Sequence, residues 1–295
     1  MITYQKAKIC QSQRKQLTYF NMLIDTHSHL NFNSFKDDFK EIIQKCLNND
    51  IWMINVGAQY STSKRALEIS KNYKQGVYAS VGLHPIHMTS GLVKIKVDPD
   101  EIIYQEEFDY KKYKELALSE KVKAIGEIGL DYYWKPKSKI KLKLFKEKQK
   151  DLLFQQLRLA KELNLPIIFH CRMAHKDLID FLKNETRPEK AVAHGFVGNK
   201  EELTEYLNFG YYIGCNGIIF KKIEGIDFEE NIKRIPLERI LLETDCPYLS
   251  PLNQEQRNTP LNLKYIAQRI ADIKKISFEK VAETTFQNAK NLFSI

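Results

Sequence analysis

The sequence lacks any run of eighteen apolar residues, which excludes a helix that spans a bilayer. The N-terminus also lacks the apolar stretch and small-residue cleavage site of a secretory signal. Cysteine is scarce, with five in 295 residues and no C-x-x-C pair, which argues against a disulfide framework and against a thiolate metal cage. We therefore expect a soluble cytoplasmic protein with reduced thiols and no membrane partner, or a nuclear or organellar one if the source is a eukaryote.

Acidic residues are absent from the first 21 residues, which contain four basic ones. This segment precedes Met22, which stands almost directly before the first strand-like run. We expect residues 1–21 to be a disordered extension or a start assigned too far upstream, and a targeting peptide fits less well because the segment has a single arginine. Without these four basic residues the formal charge of +9 falls to +5, which only weakly indicates an anionic partner.

From Met22 onward, short apolar runs of strand type alternate with amphipathic stretches of helix type, a pattern typical of βα units around a parallel sheet. One such helix is expected over 35–49, where apolar side chains recur at helical spacing. Residues 89–108 do not fit the repeat and are expected to form a surface excursion. The eight strand-like runs span residues 23–30, 51–57, 77–85, 122–131, 166–171, 191–196, 210–217 and 239–245.

Eight βα repeats in one chain favour a closed TIM-type (β/α)8 barrel, although an open doubly wound sheet shows the same alternation. The chain length and a hydrophobic content of 43% suit a single domain of this kind. We therefore predict an α/β fold with one barrel domain over residues 22–295.

Residues that can bind metals stand at the predicted C-terminal ends of five of these strands. In the first strand Asp25, His27 and His29 occupy every second position, so strand alternation is expected to point them to the same side. Active sites of β/α barrels are built at this face. Four further candidates follow on other strands, namely Glu127, His170, His194 and Asp245.

Six of these residues, the four histidines with Glu127 and Asp245, are costly to bury together unless they bind cations. A lone histidine is more often a satisfied structural residue, but that explanation fails for six such side chains at one barrel mouth. They exceed the ligands of one tetrahedral ion, whereas two ions bridged by one carboxylate use them all. Mixed imidazole and carboxylate ligands suit Zn²⁺ or Mn²⁺, and carboxylate with water suits Mg²⁺.

Several strings carry a more specific signal: LIDTHSHLN, VGLHP, GEIGLDYYW, HGFVGN, LLETDCPYLSP and RNTP. In this order and spacing they resemble the TatD family of the amidohydrolase superfamily, over about residues 22–295. The resemblance implies a barrel hydrolase that cleaves DNA as an exonuclease on single-stranded ends. It also implies two divalent cations with Glu127 as the shared ligand, one held by His27, His29 and Asp245 and the other by His170 and His194.

In such a site the two cations are expected to activate a water molecule for attack on phosphorus. Asp245 is expected to act as the general base, since it binds the first cation and lies within reach of that water. Around HCRMAHKD the chain departs from the family pattern, with Met173 and then His175 where relatives commonly carry an acidic residue. This departure concerns the surroundings of Arg172 rather than the cation ligands.

The segment after the fourth strand, residues 131–150, contains eight lysines and three consecutive aromatic residues. A loop at this position lies on the catalytic face, so Lys135 is expected to neutralise a phosphate and Tyr133 or Trp134 to stack on a base. The alternative is that the lysines form the solvated face of the next helix and the aromatic residues pack beneath it, which suits Lys141 onward.

Three further residues are candidate substrate contacts. His84, at the end of the third strand, is expected to contact the scissile phosphate or to make a structural hydrogen bond. Arg172 follows His170 by two positions and is expected to contact the substrate. Arg257, in the RNTP string after the eighth strand, is expected to clamp a phosphate.

Three functions remain open on the sequence. The leading prediction is a deoxyribonuclease whose partner is single-stranded DNA. One alternative is a C–N or ester hydrolase of the same superfamily, such as a D-aminoacyl-tRNA deacylase. The other is a non-catalytic nucleic-acid-binding protein, which has no need of six metal ligands. We expect the chain to act as a monomer.

Overall fold

The structure is a computed structural model that describes residues 22–93, 105–185, 187–253 and 256–295. The predicted extension, residues 1–21, lies outside this described part. Residues 94–104, the middle of the predicted excursion, lie outside it as well. In the described ranges no helix combines the length and apolar character that crossing a membrane requires.

All eight predicted strands are present, and they form one parallel sheet in the order of the sequence. Neighbouring strands pair throughout, as a TIM-type barrel requires. The predicted fold is therefore confirmed. The strands are β1 (Leu23–Ser28), β2 (Ile51–Val56), β3 (Val77–Val81), β4 (Val122–Asp131), β5 (Ile167–Arg172), β6 (Ala191–Ala193), β7 (Tyr212–Cys215) and β8 (Ile240–Leu242).

At least one helix follows each strand and covers the outside of the barrel. The helices are α1 (Phe39–Asn48), α2 (Tyr60–Lys71), α3 (Pro85–Thr89), α4 (Tyr110–Ala117), α5 (Lys139–Leu163), α6 (His175–Asn184), α7 (Lys200–Asn208), α8 (Phe228–Arg234), α9 (Leu263–Lys274) and α10 (Phe278–Phe293).

The first helix begins later than its periodicity predicts. The helix expected over 35–49 starts only at Phe39, because Asn33–Phe35 forms a 3-10 turn instead. From there α1 buries Ile42, Ile43 and Cys46, which lie one to four positions apart along one face. The periodicity thus located the helix correctly but not its first turn.

Strand alternation separates two apolar layers. The side chains of the inner layer pack with α10, whose Phe286 and Phe293 belong to the same cluster. Met22 and Trp52, at the beginnings of strands, pack against this cluster, so α10 covers the N-terminal end of the barrel. The inner layer includes Ile24, Ile54, Ala124, Ile168, Val192 and Leu241, and the outer layer, against the other helices, includes Leu23, Met53, Ile125, Ile167, Ala191 and Ile240.

β1 and the segment after β8 close the barrel. Ser28 pairs with Cys246 in parallel, and the backbone N–H of His29 donates to the carbonyl of Cys246 over 3.0 Å. The backbone N–H of Asp245 donates to the carbonyl of His27 over 2.8 Å. Closure of the barrel therefore holds His27 and His29 directly beside Asp245.

Candidate metal centre

The six predicted ligands meet at one end of the barrel, where each is buried or half-buried. Three lie within strands: His27 in β1, Glu127 in β4 and His170 in β5. The other three follow the ends of β1, β6 and β8 within three residues: His29, His194 and Asp245. The structure therefore brings together all six residues that the sequence predicts.

Glu127 lies in the middle of this cluster, and its two carboxylate oxygens face different histidines. Oε2 is 3.4 Å from His27 Nε2. Oε1 is 2.7 Å from His170 Nδ1 and 3.8 Å from His194 Nε2. A carboxylate placed in this way can offer one oxygen to each of two cations.

Asp245 faces the cluster from the side of β1. Its Oδ1 is 3.4 Å from His29 Nε2 and 3.9 Å from His27 Nε2. Its Oδ2 is 3.7 Å from His194 Nε2. The side chain of Asp245 is 18% exposed, against 8% for Glu127, so Asp245 has the better access to solvent at the mouth of the barrel.

Three of the histidines are oriented from behind by an oxygen acceptor. In each of these rings the acceptor holds a proton on the outer nitrogen, so the nitrogen that faces the cluster carries a lone pair when the ring is neutral. The lone pairs therefore converge on the space around Glu127. The pairs are His29 Nδ1 with the carbonyl of Val56 at 2.9 Å, His194 Nδ1 with Glu243 Oε2 at 2.8 Å, and His170 Nε2 with Asp131 Oδ2 at 3.0 Å.

The pair of His27 and His29 tests whether a cation fits. Their Nε2 atoms are 3.1 Å apart in a buried position, and since His29 keeps its proton on Nδ1, its Nε2 has no proton to donate when the ring is neutral. A cation can accept lone pairs from both nitrogens with Glu127 as a third ligand, whose ligand atom lies within 4.8 Å of both. The residues present therefore fit a divalent cation with nitrogen and oxygen ligands.

The carboxylates of the cluster raise the pKa values of two histidines. Burial alone would lower the pKa of His170, but the charge of Glu127 and hydrogen bonds to Asp131 and Glu127 raise it to about 9. Burial opposes ionisation of His194 as well, yet the nearby charges of Glu243 and Asp245 raise its pKa to about 10. Rings with pKa values this high carry a proton at neutral pH when no cation competes for the lone pair.

Asp25 does not join the cluster, because side-chain alternation is interrupted in β1. The register between β1 and β2 shifts between Asp25 and Ser28, so the expectation that Asp25 shares the side of His27 and His29 is wrong. The Asp25 carboxylate instead accepts hydrogen bonds from the backbone and hydroxyl of Thr244 and from the backbone of His27. Asp25 thus helps to close the barrel.

Two of the six ligands depend on backbone irregularities. The register between β4 and β5 shifts between Gly126 and Ile128, so Glu127 is an extra residue in β4 and its carboxylate is re-aimed toward the mouth. Asp245 has a left-handed backbone with φ of 56°, a conformation that Asp tolerates better than most residues. Alternation from the inward-facing Ala124 alone would turn Glu127 away from the interior, so the register shift is what directs this carboxylate to the mouth.

Two supporting carboxylates, Asp131 and Glu243, were not predicted. Glu243 is fully buried and reaches His194 across β7, where a Cβ atom on Gly214 would lie 2.2 to 2.3 Å from the Glu243 carboxylate. Gly214 therefore provides the space that Glu243 occupies. The spacing of Asp131 and Glu243 from predicted ligands could have indicated them. Glu243 stands two positions before Asp245, and Asp131 stands four positions after Glu127.

Comparisons with known proteins identify the relatives of this centre. The family model described as TatD related DNase matches residues 24–294. The chain belongs to the TatD-related DNase family. It therefore stands among the TatD-type metal-dependent hydrolases, and the resemblance seen in the sequence is confirmed.

Individual relatives match over nearly their whole length. The chain is 38% identical to an uncharacterized metal-dependent hydrolase of Bacillus subtilis, covering 93% of this chain and 100% of the relative. It is 30% identical to the deoxyribonuclease TATDN3 of Homo sapiens, covering 92% and 94%. The crystal structure of a TatD homolog, YjjV of Escherichia coli, superposes with a TM-score of 0.77 at 29% identity, covering 94% of this chain and 99% of that one.

In this TatD-family chain His84 reaches the centre. Its Nε2 is 3.9 Å from Glu127 Oε1, and its Nδ1 accepts a hydrogen bond from the backbone N–H of Ile86 over 3.2 Å. Burial, reinforced by the charge of His170, lowers the pKa of His84 to about 3. His84 is therefore neutral, with a proton on the nitrogen that faces the mouth.

Two buried glutamines of α5 hold the loops that carry His84 and Asp131. Gln156 accepts from the N–H of Leu83 over 2.8 Å and donates to its carbonyl over 2.9 Å. Gln149 accepts from the N–H of Asp131 over 2.9 Å and donates to its carbonyl over 3.0 Å. These paired bonds tie the end of β4 and the loop after β3 to α5, so His84 and Asp131 enter the mouth in a fixed position.

The other candidate substrate contacts lie on the rim of the TatD-type site. Tyr133, Lys135 and Arg172 are exposed, and Trp134 is half-buried with its ring edge-on to Tyr133 at 4.9 Å. The Arg172 guanidinium lies over the Tyr133 ring, with 3.7 Å between Cζ and the ring centroid. Contact of these residues with a substrate stays a prediction.

Arg257 contacts the segment that leads into α1. Its guanidinium forms an ion pair with Asp38, donates to the carbonyl of Ser34 and lies over the ring of Phe35 at 4.5 Å. It thus ties the RNTP loop to the segment that leads into α1. A phosphate bound here would have to compete with the carboxylate of Asp38.

Proposed function

We propose that this protein is a metal-dependent phosphodiesterase that hydrolyses DNA from single-stranded ends through a pair of divalent cations. The proposal rests on one observation above all: six side chains from five strands direct lone pairs and carboxylates at the space around Glu127. Membership of the TatD-related DNase family supports DNA as the substrate, as does 30% identity to a human protein named as a deoxyribonuclease.

Glu127 is the residue that we assign as the shared ligand. Its Oε2 faces His27, and its Oε1 faces His170 and His194, so the nearest histidines fall into two groups on either side of one carboxylate. His27 and His29 with Asp245 would hold one cation, and His170 and His194 would hold the other. Bound divalent cations lower the pKa of a coordinated water and neutralise charge on a phosphoryl group.

Asp245 is the residue that we assign as the general base. It is the more exposed of the two carboxylates in the centre, and its two oxygens face histidines of both groups. A carboxylate in this position can accept the proton of the attacking water and release it to solvent at the mouth. The neighbouring histidines keep the pKa of Asp245 below its ordinary value, although burial opposes this, so it is ionised and ready to accept a proton at neutral pH.

His84 is assigned to the phosphate of the substrate. It is neutral, its Nδ1 is occupied by the N–H of Ile86, and its Nε2–H is directed toward the centre. A fixed N–H donor near the metal ligands can stabilise negative charge as it grows on a phosphoryl oxygen. The exposed Lys135 on the adjacent rim adds a positive charge for another phosphate of the DNA strand.

The proposal is tested on metal-stripped protein that is reconstituted with Mg²⁺, Mn²⁺ or Zn²⁺. We expect release of labelled mononucleotides from 3′-labelled or 5′-labelled single-stranded DNA with at least one of these metals, and the labelled end that disappears first gives the polarity. An aminoacyl ester is assayed in parallel. Hydrolysis of the ester with no cleavage of DNA under any metal would replace the nuclease by an ester hydrolase.

A further inference from the structure

An arginine and a tyrosine form an exposed stack beside the metal centre. Arg172 Cζ lies 3.7 Å from the centroid of the Tyr133 ring, a distance at which the guanidinium rests on the ring. Tyr133 is 46% exposed and Arg172 is exposed as well. The pair is thus a flat, positively charged surface that is open to solvent.

This surface is fixed to the metal centre through Asp131. One oxygen of Asp131, Oδ2, accepts from His170 Nε2 over 3.0 Å, and the other, Oδ1, accepts from the backbone N–H of Tyr133 over 2.9 Å. Arg172 pairs with Asp131 in the register of β4 and β5, and its carbonyl accepts from the N–H of Tyr132 over 2.9 Å. Arg172 also follows His170 by two positions in β5, so alternation points it toward the same mouth.

The guanidinium of Arg172 has hydrogen-bonding capacity left over. Across the described ranges no carboxylate or carbonyl accepts a hydrogen bond from it, and Tyr133 covers only one of its faces. A second Arg–Tyr pair, at the opposite end of the barrel, differs in this respect: Arg239 lies 5.2 Å from the ring of Tyr212 and donates to the carbonyl of Gly210 over 2.8 Å. Arg239 therefore has a structural hydrogen bond that Arg172 lacks.

We propose that Arg172, supported by Tyr133, is a nucleobase subsite of this enzyme, and that the base of a nucleotide beside the scissile phosphate stacks on the open face of the guanidinium. The assignment rests on the proposed function, since it presumes a DNA strand in the mouth. A guanidinium is planar and weakly hydrated, so it stacks on a base, while its N–H groups remain free for phosphate oxygens. Tyr133 on the far side holds the guanidinium flat.

The position of the base is tested with oligonucleotides that carry a single abasic residue at each of the last four positions of the attacked end. Wild-type protein should lose roughly 5- to 150-fold in kcat/KM at one position, the factor that corresponds to one base stack. Arg172→Ala should lose a similar factor on intact DNA and lose nothing further when the abasic residue occupies that position. Independent, multiplicative losses would show that Arg172 and the base do not touch, and would overturn the subsite.

Matched variants separate stacking from charge and from general damage to the fold. Arg172→Lys keeps the charge but not the plane, and should resemble Arg172→Ala in the abasic series. Tyr133→Ala should lose part of the discrimination, because it removes the ring on which the guanidinium rests. Arg239→Lys breaks the comparable pair at the other end of the barrel and should leave the abasic profile unchanged. If Arg172→Lys shows the same abasic profile as wild type, positive charge alone is sufficient at this position and stacking is contradicted.

A binding measurement keeps the subsite separate from the nuclease proposal. A deoxynucleoside 5′-monophosphate and deoxyribose 5-phosphate are titrated into the metal-loaded protein, with the fluorescence of Trp134 and Tyr133 as the signal. Wild-type protein should bind the nucleotide more tightly, and Arg172→Ala should bind both equally. If no DNA is cleaved yet this preference is present and lost in the variant, the nuclease proposal fails and the subsite stands; equal binding by wild type refutes the subsite.

Discussion

Glu127 and His170 contact each other across β4 and β5, with 2.7 Å between Oε1 of the carboxylate and Nδ1 of the ring. The second nitrogen of His170 is held by Asp131. In the metal-free protein the ring therefore lies between two carboxylates as an imidazolium ion. A cation that binds at Nδ1 must displace a proton and take over the neutralisation of Glu127, and this exchange has measurable consequences.

The first consequence is proton release on metal binding. His170 and His194, with pKa values raised to about 9 and about 10, are both protonated at pH 7, so binding of two cations should release about two protons. Metal affinity should therefore rise with pH up to about pH 9 to 10, where both rings have lost their protons. Calorimetry in buffers of different ionisation enthalpy measures the number of protons. No net release at pH 7 would contradict the arrangement.

The same two histidines should make the stability of the metal-free protein depend on pH. Their pKa values in the folded chain lie above the ordinary histidine value near 6.5, so their contribution is fully present below about pH 6.5 and is lost as the pH rises through 9 to 10. Urea denaturation of metal-stripped protein at several pH values checks the direction. The dependence should disappear when saturating metal is present.

Asp131→Asn should weaken metal binding. Both oxygens of Asp131 accept hydrogen bonds, from His170 Nε2 and from the N–H of Tyr133, so an amide must turn its NH₂ group toward one of these donors. Cation affinity should fall by roughly 10- to 100-fold, the usual cost of removing a carboxylate behind a metal-binding histidine. Competition with a chelating dye measures the affinity, and circular dichroism confirms the fold.

Glu243→Gln is the matched comparison for Asp131→Asn. A single oxygen of Glu243, Oε2, accepts from both His194 Nδ1 and the N–H of Gly195. An amide oxygen can accept both of these bonds, so this variant should lose less affinity than Asp131→Asn. A larger loss for Glu243→Gln would show that the negative charge, rather than the direction of the hydrogen bond, is what His194 requires.

Gly214→Ala should disturb the metal centre from a position that contains no ligand. The added methyl group would lie 2.2 to 2.3 Å from the carboxylate of Glu243, which must then move away from His194. We expect weaker cation binding together with a lower melting temperature. Ile213→Val, a buried change in the same strand, should cost roughly 0.5 to 1.5 kcal/mol of stability and leave metal affinity unchanged.

Asp25 should affect stability rather than metal binding. Burial raises its pKa from 3.8 to about 7, although the hydrogen bonds from Thr244 and His27 oppose the rise. The folded chain therefore binds a proton more tightly than the unfolded chain, so the contribution of Asp25 to stability is largest below about pH 4 and declines as the pH rises to about 7. Asp25→Asn should remove this decline and still bind metal. Unchanged pH dependence in the variant would contradict the assignment.

Sequence patterns predicted the fold and two of the histidine ligands for a clear physical reason. His170 and His194 each lie two positions after an inward-facing apolar residue, Ile168 and Val192 respectively, and Glu243, which was not predicted, follows Leu241 in the same way. Strict alternation carries these side chains into the barrel. The same rule, applied to β1, predicted that Asp25 would join His27 and His29, and there it was wrong because the register shifts.

The remaining ligands depend on irregularities that periodicity does not reveal. Glu127 reaches the mouth through a register shift in β4, and Asp245 does so through a left-handed residue after β8. Both stand near predicted strand ends, which made them candidates, and the resemblance of GEIGLD and LLETD to a family then gave them their places among the metal ligands. The ion pair of Arg257 with Asp38 joins residues more than two hundred positions apart, and such long-range pairing leaves no local pattern in the sequence.

A Mn²⁺ titration of metal-stripped protein tests the dinuclear centre most directly. Bound ions per chain and DNA cleavage are measured on the same preparation. Wild-type protein should bind about two Mn²⁺ per chain and gain cleavage of single-stranded DNA as they bind. Glu127→Gln should bind fewer ions and lose roughly 100-fold or more in rate. Full cleavage by stripped protein in EDTA, or a Glu127→Gln variant equal to wild type in both stoichiometry and rate, would contradict a shared carboxylate between two catalytic cations.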